Sequence, residues 1–364
     1  MDLLTAFGAG ATLWTAFHFL PARTKLSTDE VILKVWENTG IYTTEGKTKI
    51  FPVKKDGVWF LPYGLSLKDI EKTLPAIAYQ LNAHIEMEVK GKAIIFNIFP
   101  GNLPTKIPYD TIDLSKYKLG LVIGQTRKED CYVLDMDDSK PYIIVAGAVG
   151  MGKSNFINQA LWQMTENYTP EQVKFYLIDL KLGVELDRWR KSPYTEKYCW
   201  EIDSKDKDDP KSDKLVPLLR DIKKTIKERM KLFKDHGVLK IDEYNALPGI
   251  TPLPYIVLII DEYAELRRNK DAEEQVQSIA QIGRASGVKI IMCLQRPSAT
   301  NLSTDIRGLI TERLTFALPD RTNSEIVLDM AGAEKLSNKG RCLLLTGSKL
   351  IEAQTMLSRK IAPS

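Results

Sequence analysis

The chain has only four cysteines and three histidines among 364 residues. Cys131, Cys199, Cys293 and Cys342 stand far apart, and none has the close cysteine or histidine neighbours that a zinc site requires. Reduced thiols in a cytosolic compartment are the simplest reading. Net charge is scarce as well. Lys and Arg number 51 against 47 Asp and Glu, a formal +4, too little for overall charge to argue for a nucleic-acid partner, so any basic track must be local. No internal repeat is visible, and a run long enough to suggest a membrane occurs once, from Leu3 to Leu20. At about 18 residues it sits at the lower limit of a membrane span, and the following Arg23 and Lys25 would leave the remainder on the cytoplasmic side. No basic residue precedes it and no small-residue cleavage site follows Leu20, which counts against a signal peptide. Membrane contact through residues 3–20, a buried helix and the stub of a longer anchor stay open. The expected location is the cytoplasm, free or attached to the inner face of the cell membrane by this segment.

Hydrophobic residues at 44% and charged residues at 27% are those of an ordinary folded, soluble protein, and the length suits two domains. Residues 26–110 read as a small α+β domain, with alternating stretches at Val58–Leu61 and Ala93–Phe96. Between them Ser66 is placed to cap one helix carrying Ile70, Leu74, Ile77, Ala78 and Leu81 at helical spacing. No chemistry is visible there, and an assembly or docking role is the expectation. Pro100, Gly101, Pro104 and Pro108 mark a boundary near residue 110. Beyond it, in residues 111–364, short apolar strands alternate with helical stretches, the pattern of a mainly parallel sheet wrapped by helices, an α/β fold. The strands are Tyr142–Ala146, Val173–Asp179, Tyr255–Ile260, Lys289–Leu294 and Arg313–Leu318, each nearly all apolar. Arg341–Leu345 and Leu350–Gln354 flank Gly347-Ser348 as a terminal hairpin, and the polar stretch Glu201–Lys214 reads as a solvated loop.

The first of these strands runs into Gly147-Ala148-Val149-Gly150-Met151-Gly152-Lys153-Ser154 and then into a helix with Phe156, Ile157, Ala160 and Leu161. Strand before and helix after are the context that turns this pattern into a phosphate-binding loop for ATP. The glycines let backbone N–H groups turn toward the phosphates, Lys153 reaches the β and γ oxygens, and the Ser154 hydroxyl serves Mg2+. A second buried strand ends in Asp261-Glu262. Asp261 is placed to hold Mg2+ through water, and Glu262 to orient or deprotonate the attacking water. The strand ending at Leu294 delivers Gln295 beside them. Alone, a glutamine after a strand is ordinary.

Several further strings, in order, resemble the FtsK/SpoIIIE motor family: Ile178-Asp179-Leu180-Lys181, Glu228-Arg229-Met230, Gly283-Arg284-Ala285-Ser286-Gly287, Gln295-Arg296-Pro297-Ser298, Glu312 to Phe316, and Leu328 to Glu334. The resemblance covers roughly residues 120–350 and implies a RecA-like P-loop ATPase that assembles as a ring, a hexamer, around double-stranded DNA. It implies a γ-phosphate sensing role for Gln295. It also implies that Arg284 and Arg321 complete a neighbouring subunit's site, although composition alone would make Arg284 a solvated helix residue. Arg321 stands where family members often carry lysine, and Glu325 where they often carry arginine.

The chain ends soon after the hairpin and is expected to lack the winged-helix reader of the cell-division members and their four-span anchor. The family's coupling ATPases of conjugative plasmids, integrative elements or phage are therefore the favoured comparison, with a relaxase or membrane transfer-channel proteins as partners. Two other readings stand beside it: a protein-secretion motor, whose relatives usually carry several motor domains in tandem, and a nucleotide-dependent switch that moves no polymer.

Overall fold

The computed structural model describes residues 26–359 apart from 102, 138, 182 and 203–212. The chain folds as two compact units that divide between residues 102 and 103.

The first unit opens with α1 (Thr28–Thr39), started by a capping box. The Ser27 hydroxyl accepts from the Glu30 N–H, and the Glu30 carboxylate accepts from the Ser27 N–H. Gly40, at φ +77°, ends the helix in the left-handed conformation that glycine adopts without a Cβ clash. A hairpin of β1 (Thr43–Glu45) and β2 (Thr48–Ile50) follows, then β3 (Val53–Lys55) and β4 (Val58–Phe60). The helix expected to run from Ser66 is broken into α2 (Leu67–Glu71) and α3 (Leu74–Leu81). Pro75 has no N–H to give the carbonyl one turn back, so the chain starts a new helix there. β5 (Ala83–Lys90) and β6 (Ala93–Pro100) complete an antiparallel sheet of order β3-β4-β6-β5. Trp36 and Trp59, edge to face at 4.8 Å, pack with Ile32, Ile70, Ile77 and Ile94 beneath it. The Trp36 indole N–H donates to the Thr73 hydroxyl, so the break between α2 and α3 is pinned to the core.

The second unit begins earlier than the expected residue 110. Arg341 donates to the carbonyls of Leu103 and Pro104, and Ile107 bridges to Met356, which ties the proline-rich stretch to the later sheet. Its strands are β7 (Gly120–Thr126), β8 (Tyr132–Asp135), β9 (Tyr142–Ala146), β10 (Val173–Ile178), β11 (Thr195–Cys199), β12 (Tyr255–Ile260), β13 (Val288–Leu294), β14 (Glu312–Phe316), β15 (Arg341–Thr346) and β16 (Lys349–Gln354). They form one sheet of order β11-β10-β12-β13-β9-β14-β15-β16-β7-β8. From β11 to β14 every pairing is parallel, and from β14 to β8 every pairing is antiparallel. The helices are α4 (Lys153–Asn167), α5 (Leu215–Asp235), α6 (Ile241–Asn245), α7 (Tyr263–Leu266), α8 (Lys270–Ile282), α9 (Thr304–Leu309) and α10 (Arg321–Leu328).

Both faces of the parallel half are covered, which is why its strands are continuously apolar. Ile143 and Val145 of β9 point to one face with Phe156 and Ile157 of α4. Ile144 and Ala146, alternating with them, join Leu219 and Ile222 of α5 and Val276 and Ile279 of α8 on the other. Each Val, Leu, Ile or Phe side chain among them contributes about 1.5–3 kcal/mol on leaving water, so the sheet is held from both sides. The four cysteines make no disulfide, and burial pushes the Cys199 and Cys293 thiols up to about 12. Among the described residues no helix is long and apolar enough to cross a membrane; residues 3–20 lie outside them, as does most of Glu201–Lys214.

Candidate nucleotide site

In a parallel sheet the loops at the carboxyl ends of the strands gather at one edge, and ligand sites form there. β9 lies between β13 and β14, so its outgoing loop is fastened on both sides: the Gly147 N–H donates to the Leu294 carbonyl and the Ala148 N–H to the Ala317 carbonyl. Gly150 (φ +78°) and Gly152 (φ +123°) then turn the chain through conformations that side-chain-bearing residues rarely adopt. Gly147 also lies against Phe316, whose Cβ would meet an added Cβ at 2.8 Å. The turn ends in the first residues of α4, which carries no acidic residue in its first turn. The free N–H groups and the positive end of the helix dipole make such a loop a receptor for phosphate.

Lys153, the first residue of α4, is buried, with its Nζ 3.4 Å from the Asp261 carbonyl oxygen and 3.8 Å from the Asp261 Oδ1. Asp261 follows β12, and its N–H donates to the Ile178 carbonyl of the adjacent β10. Its Oδ2 is fully buried and, among the described residues, accepts no aligned hydrogen bond. The Lys181 ammonium is 2.8 Å from it, and an ionised carboxylate, with about four acceptor sites, keeps capacity for a further ligand beside that ion pair. Glu262 is 7% exposed, and its Oε1 faces the Gln295 backbone N–H at 3.5 Å. Burial holds the Glu262 carboxyl above the ordinary carboxylate range, against the lowering pull of Lys153 and Lys181. The structure thus brings together the loop, Lys153, Ser154, Asp261, Glu262 and Gln295 from three strand ends.

Lys181 is the residue that sequence reasoning left without a role. Its Nζ lies 2.8 Å from the Asp261 Oδ2 and 3.8 Å from the Glu262 Oε2. Burial would lower the ammonium's pKa, but the two carboxylates outweigh it and hold it above the ordinary lysine value. Asp179 sets the loop that carries it: its carboxylate accepts from the N–H groups of Lys181, Glu185 and Leu186. The Asp-x-Lys spacing after a buried strand was the available signal, but nothing in it names Asp261 as the partner.

The two arginines are not part of this cluster. Arg284 is exposed in the turn between α8 and β13, the end of β13 away from Leu294 and the phosphate loop. A strand of this length separates the two ends by roughly 20 Å. Arg321, also exposed, begins α10 on the same end of the sheet as the loop, and its Nε sits 2.7 Å from the Glu325 carboxylate.

Residues 111–299, just over half of the 364, match the FtsK/SpoIIIE family. The chain belongs to the FtsK/SpoIIIE family. Membership makes the second unit a P-loop ATPase domain with a RecA-like sheet. Over 305 residues the chain is 30% identical to the DNA translocase FtsK of Clostridium tetani, a match that takes in 77% of this chain and 38% of that protein. The chain thus spans about two fifths of the length of such curated relatives. Its fold is similar to that of the pCW3 conjugation coupling protein TcpA, solved as a monomer with ATPγS, at a TM-score of 0.64 and 22% identity over 91% of this chain and 95% of that one. It is also similar to the cytoplasmic domain of the type VII secretion ATPase EccC of Thermomonospora curvata, at a TM-score of 0.57 and 20% identity over 70% of this chain and 30% of that one.

Proposed function

We propose that the chain hydrolyses ATP to drive double-stranded DNA through a ring of its own copies, in conjugative transfer or related mobile-element or phage DNA movement. The observation that carries this is the buried Glu262 carboxylate, placed next to Asp261 and against the Gln295 N–H at the edge of the phosphate loop. A carboxylate in that position suits hydrolysis by water rather than slow nucleotide retention. Lys153 and the loop N–H groups hold the β and γ phosphates, Glu262 takes the proton of the attacking water, and Gln295 senses the γ phosphate. Ser154 and Asp261 would hold Mg2+. That ion supplies charge neutralisation on the phosphate oxygens. Lys181 keeps the two carboxylates close by partly neutralising them.

Arg284 lies too far from its own loop to reach it, so it serves the site of a neighbouring copy, with Arg321 as a second contributor from its exposed position on α10. DNA as the cargo rests on the sequence likeness to DNA translocases, and the conjugative setting on a fold likeness to the coupling protein that extends over nearly the whole of both chains. The fold likeness to a secretion ATPase favours export of a polypeptide as the second reading. Measuring ATP turnover of the purified chain over a concentration series, with and without linear duplex DNA, separates them. Turnover that rises cooperatively with protein and is stimulated by DNA supports the DNA-moving ring. Turnover indifferent to DNA transfers the case to protein export or to a switch.

A further inference from the structure

We infer that the solvent face of α5, with the cleft it forms against α8, is a docking surface for the phosphate backbone of duplex DNA. The inference rests on the DNA-moving reading above and assigns a surface to it. In a chain of net charge only +4, Arg220, Lys223, Lys224, Lys227, Lys231 and Lys234 recur at steps of three, one, three, four and three. At 3.6 residues per turn they fall within about 100° of the helix circumference and extend about 21 Å along its axis. The opposite face of the same helix buries Leu215, Leu218, Leu219, Ile222, Ile226 and Phe233. Packing therefore uses one face of α5 and does not call for the charges on the other.

Those charges are incompletely answered by the protein. Arg220 meets Asp271 at 2.7 Å, and Lys224 lies 3.8 Å from Glu228 with both side chains well exposed. Asp221, which could oppose the stripe, is bonded instead to the Tyr176 hydroxyl. Lys223, Lys227, Lys231 and Lys234 make no ion pair with the described residues. Like charges one helical turn apart repel, so the stripe is stable only because α5 is held by its other face, and a polyanion would relieve it. Between α5 and α8 lies a cleft of about 410 Å³ lined by Arg220, Lys223, Lys224, Lys227 and Gln275: four cations, an amide and no carboxylate.

Duplex DNA matches this chemistry. It carries one negative charge per about 1.7 Å of axis, so a stripe of this length faces several phosphates, and lysines meet them as point charges without reading bases. An anionic membrane fits less well. A helix lying in a lipid surface must give its apolar face to the acyl region, and that of α5 is already committed to the core.

The test replaces Lys223, Lys227 and Lys231 by Gln in the full chain and titrates a short fluorescent duplex by anisotropy across a salt series. A second variant, Lys47→Gln/Lys55→Gln/Lys92→Gln, removes the same charge from exposed positions of the first unit. The α5 variant is expected to lose at least tenfold in affinity at low salt, equally for duplexes of different sequence. Its plot of log affinity against log salt should flatten by about two to three, since each lost phosphate contact removes about 0.9 from the slope. DNA-free ATP turnover and melting temperature should match the parent. An unchanged slope, an equal loss in the control variant, or a defect confined to binding of phosphatidylserine vesicles overturns the inference. If the parent is stimulated by DNA and the α5 variant binds and responds to DNA as the parent does, this surface fails and the translocase reading stands. If the parent neither binds nor responds to DNA, both fall.

Discussion

The two edges of the parallel sheet are ends of the same strands, yet buried cations on them are held in opposite ways. At the amino ends, Arg229 is buried and spends its guanidinium on the carbonyls of Ser286 and Pro254, at 2.7 and 2.8 Å, while Lys289 donates to the Asp137 carbonyl. Burial pushes the Arg229 guanidinium down to about 10, which is the cost of using a cation as a staple among neutral groups. At the carboxyl ends, Lys153 and Lys181 face Asp261 and Glu262 with the carboxylate oxygens only partly satisfied. Charges fixed on backbone hold a loop in place; charges facing charges can be redistributed by a ligand. Arg284, at the first edge, is exposed.

The most severe way to break the reactive edge is Lys153→Ala. It removes the ammonium proposed to hold the phosphates, and loss of nucleotide binding is expected in a fluorescent-ATP titration, with turnover at background. A variant binding nucleotide as the parent does would remove Lys153 from the site.

Arg284→Ala should be next, because Arg284 sits at the other edge and its proposed role is in a neighbouring copy's site. If the guanidinium reaches a neighbour's phosphates, turnover falls by about 10³-fold while nucleotide affinity holds, the size expected for an arginine supplied in trans. Mixing these subunits with Lys153→Ala subunits should recover part of the activity, since interfaces then form that carry both intact groups. Mixtures as inactive as their components would confine Arg284 to a structural role.

Glu262→Gln keeps the shape of the site and removes the proposed proton acceptor, so ATP should bind while turnover drops by about 10²-fold. As the proposed base, this carboxylate must be ionised in the parent. Because its pKa is raised by burial, the acid limb of the parent's rate profile should lie above the ordinary glutamate value of about 4.3. The limb should vanish in the variant's residual rate; its persistence would assign it to another group.

How much of this the sequence displayed follows the same division. Strands β9, β10, β12, β13 and β14 were legible because both faces are buried, which forces a continuous apolar run. β11 was not, since at the sheet's edge it keeps Glu196 exposed. β7 and β8 escaped for another reason: Gly124 sits at φ +141° in a bulge, with the Gln354 carbonyl oxygen 2.1 Å from where a Cβ would stand, so the β7–β8 pairing changes register there. The loop and the Asp261-Glu262 pair were legible because consecutive residues carry them. Arg229 and Asp179 were visible within strings, but their roles as backbone staples were not: the carbonyls that Arg229 bonds are 25 and 57 residues away, and the loop that Asp179 gathers has no regular pattern of its own.

Lys181 sharpens the comparison with the smallest expected effect. It is 22% exposed at the side chain, so water shares in screening the carboxylates, and the turnover of Lys181→Met should fall only about tenfold. The sign of the pH effect is more telling. Lys181 now lowers the Glu262 pKa, so removing it should raise that pKa further and move the acid limb of the rate profile to higher pH. Lys181→Arg should return the limb toward its original position, because it restores the charge. A limb that stays in place in Lys181→Met, whatever the loss of rate, would mean that Glu262 does not sense this lysine, and that Lys181 serves, as Arg229 does at the other edge, only to hold its own loop.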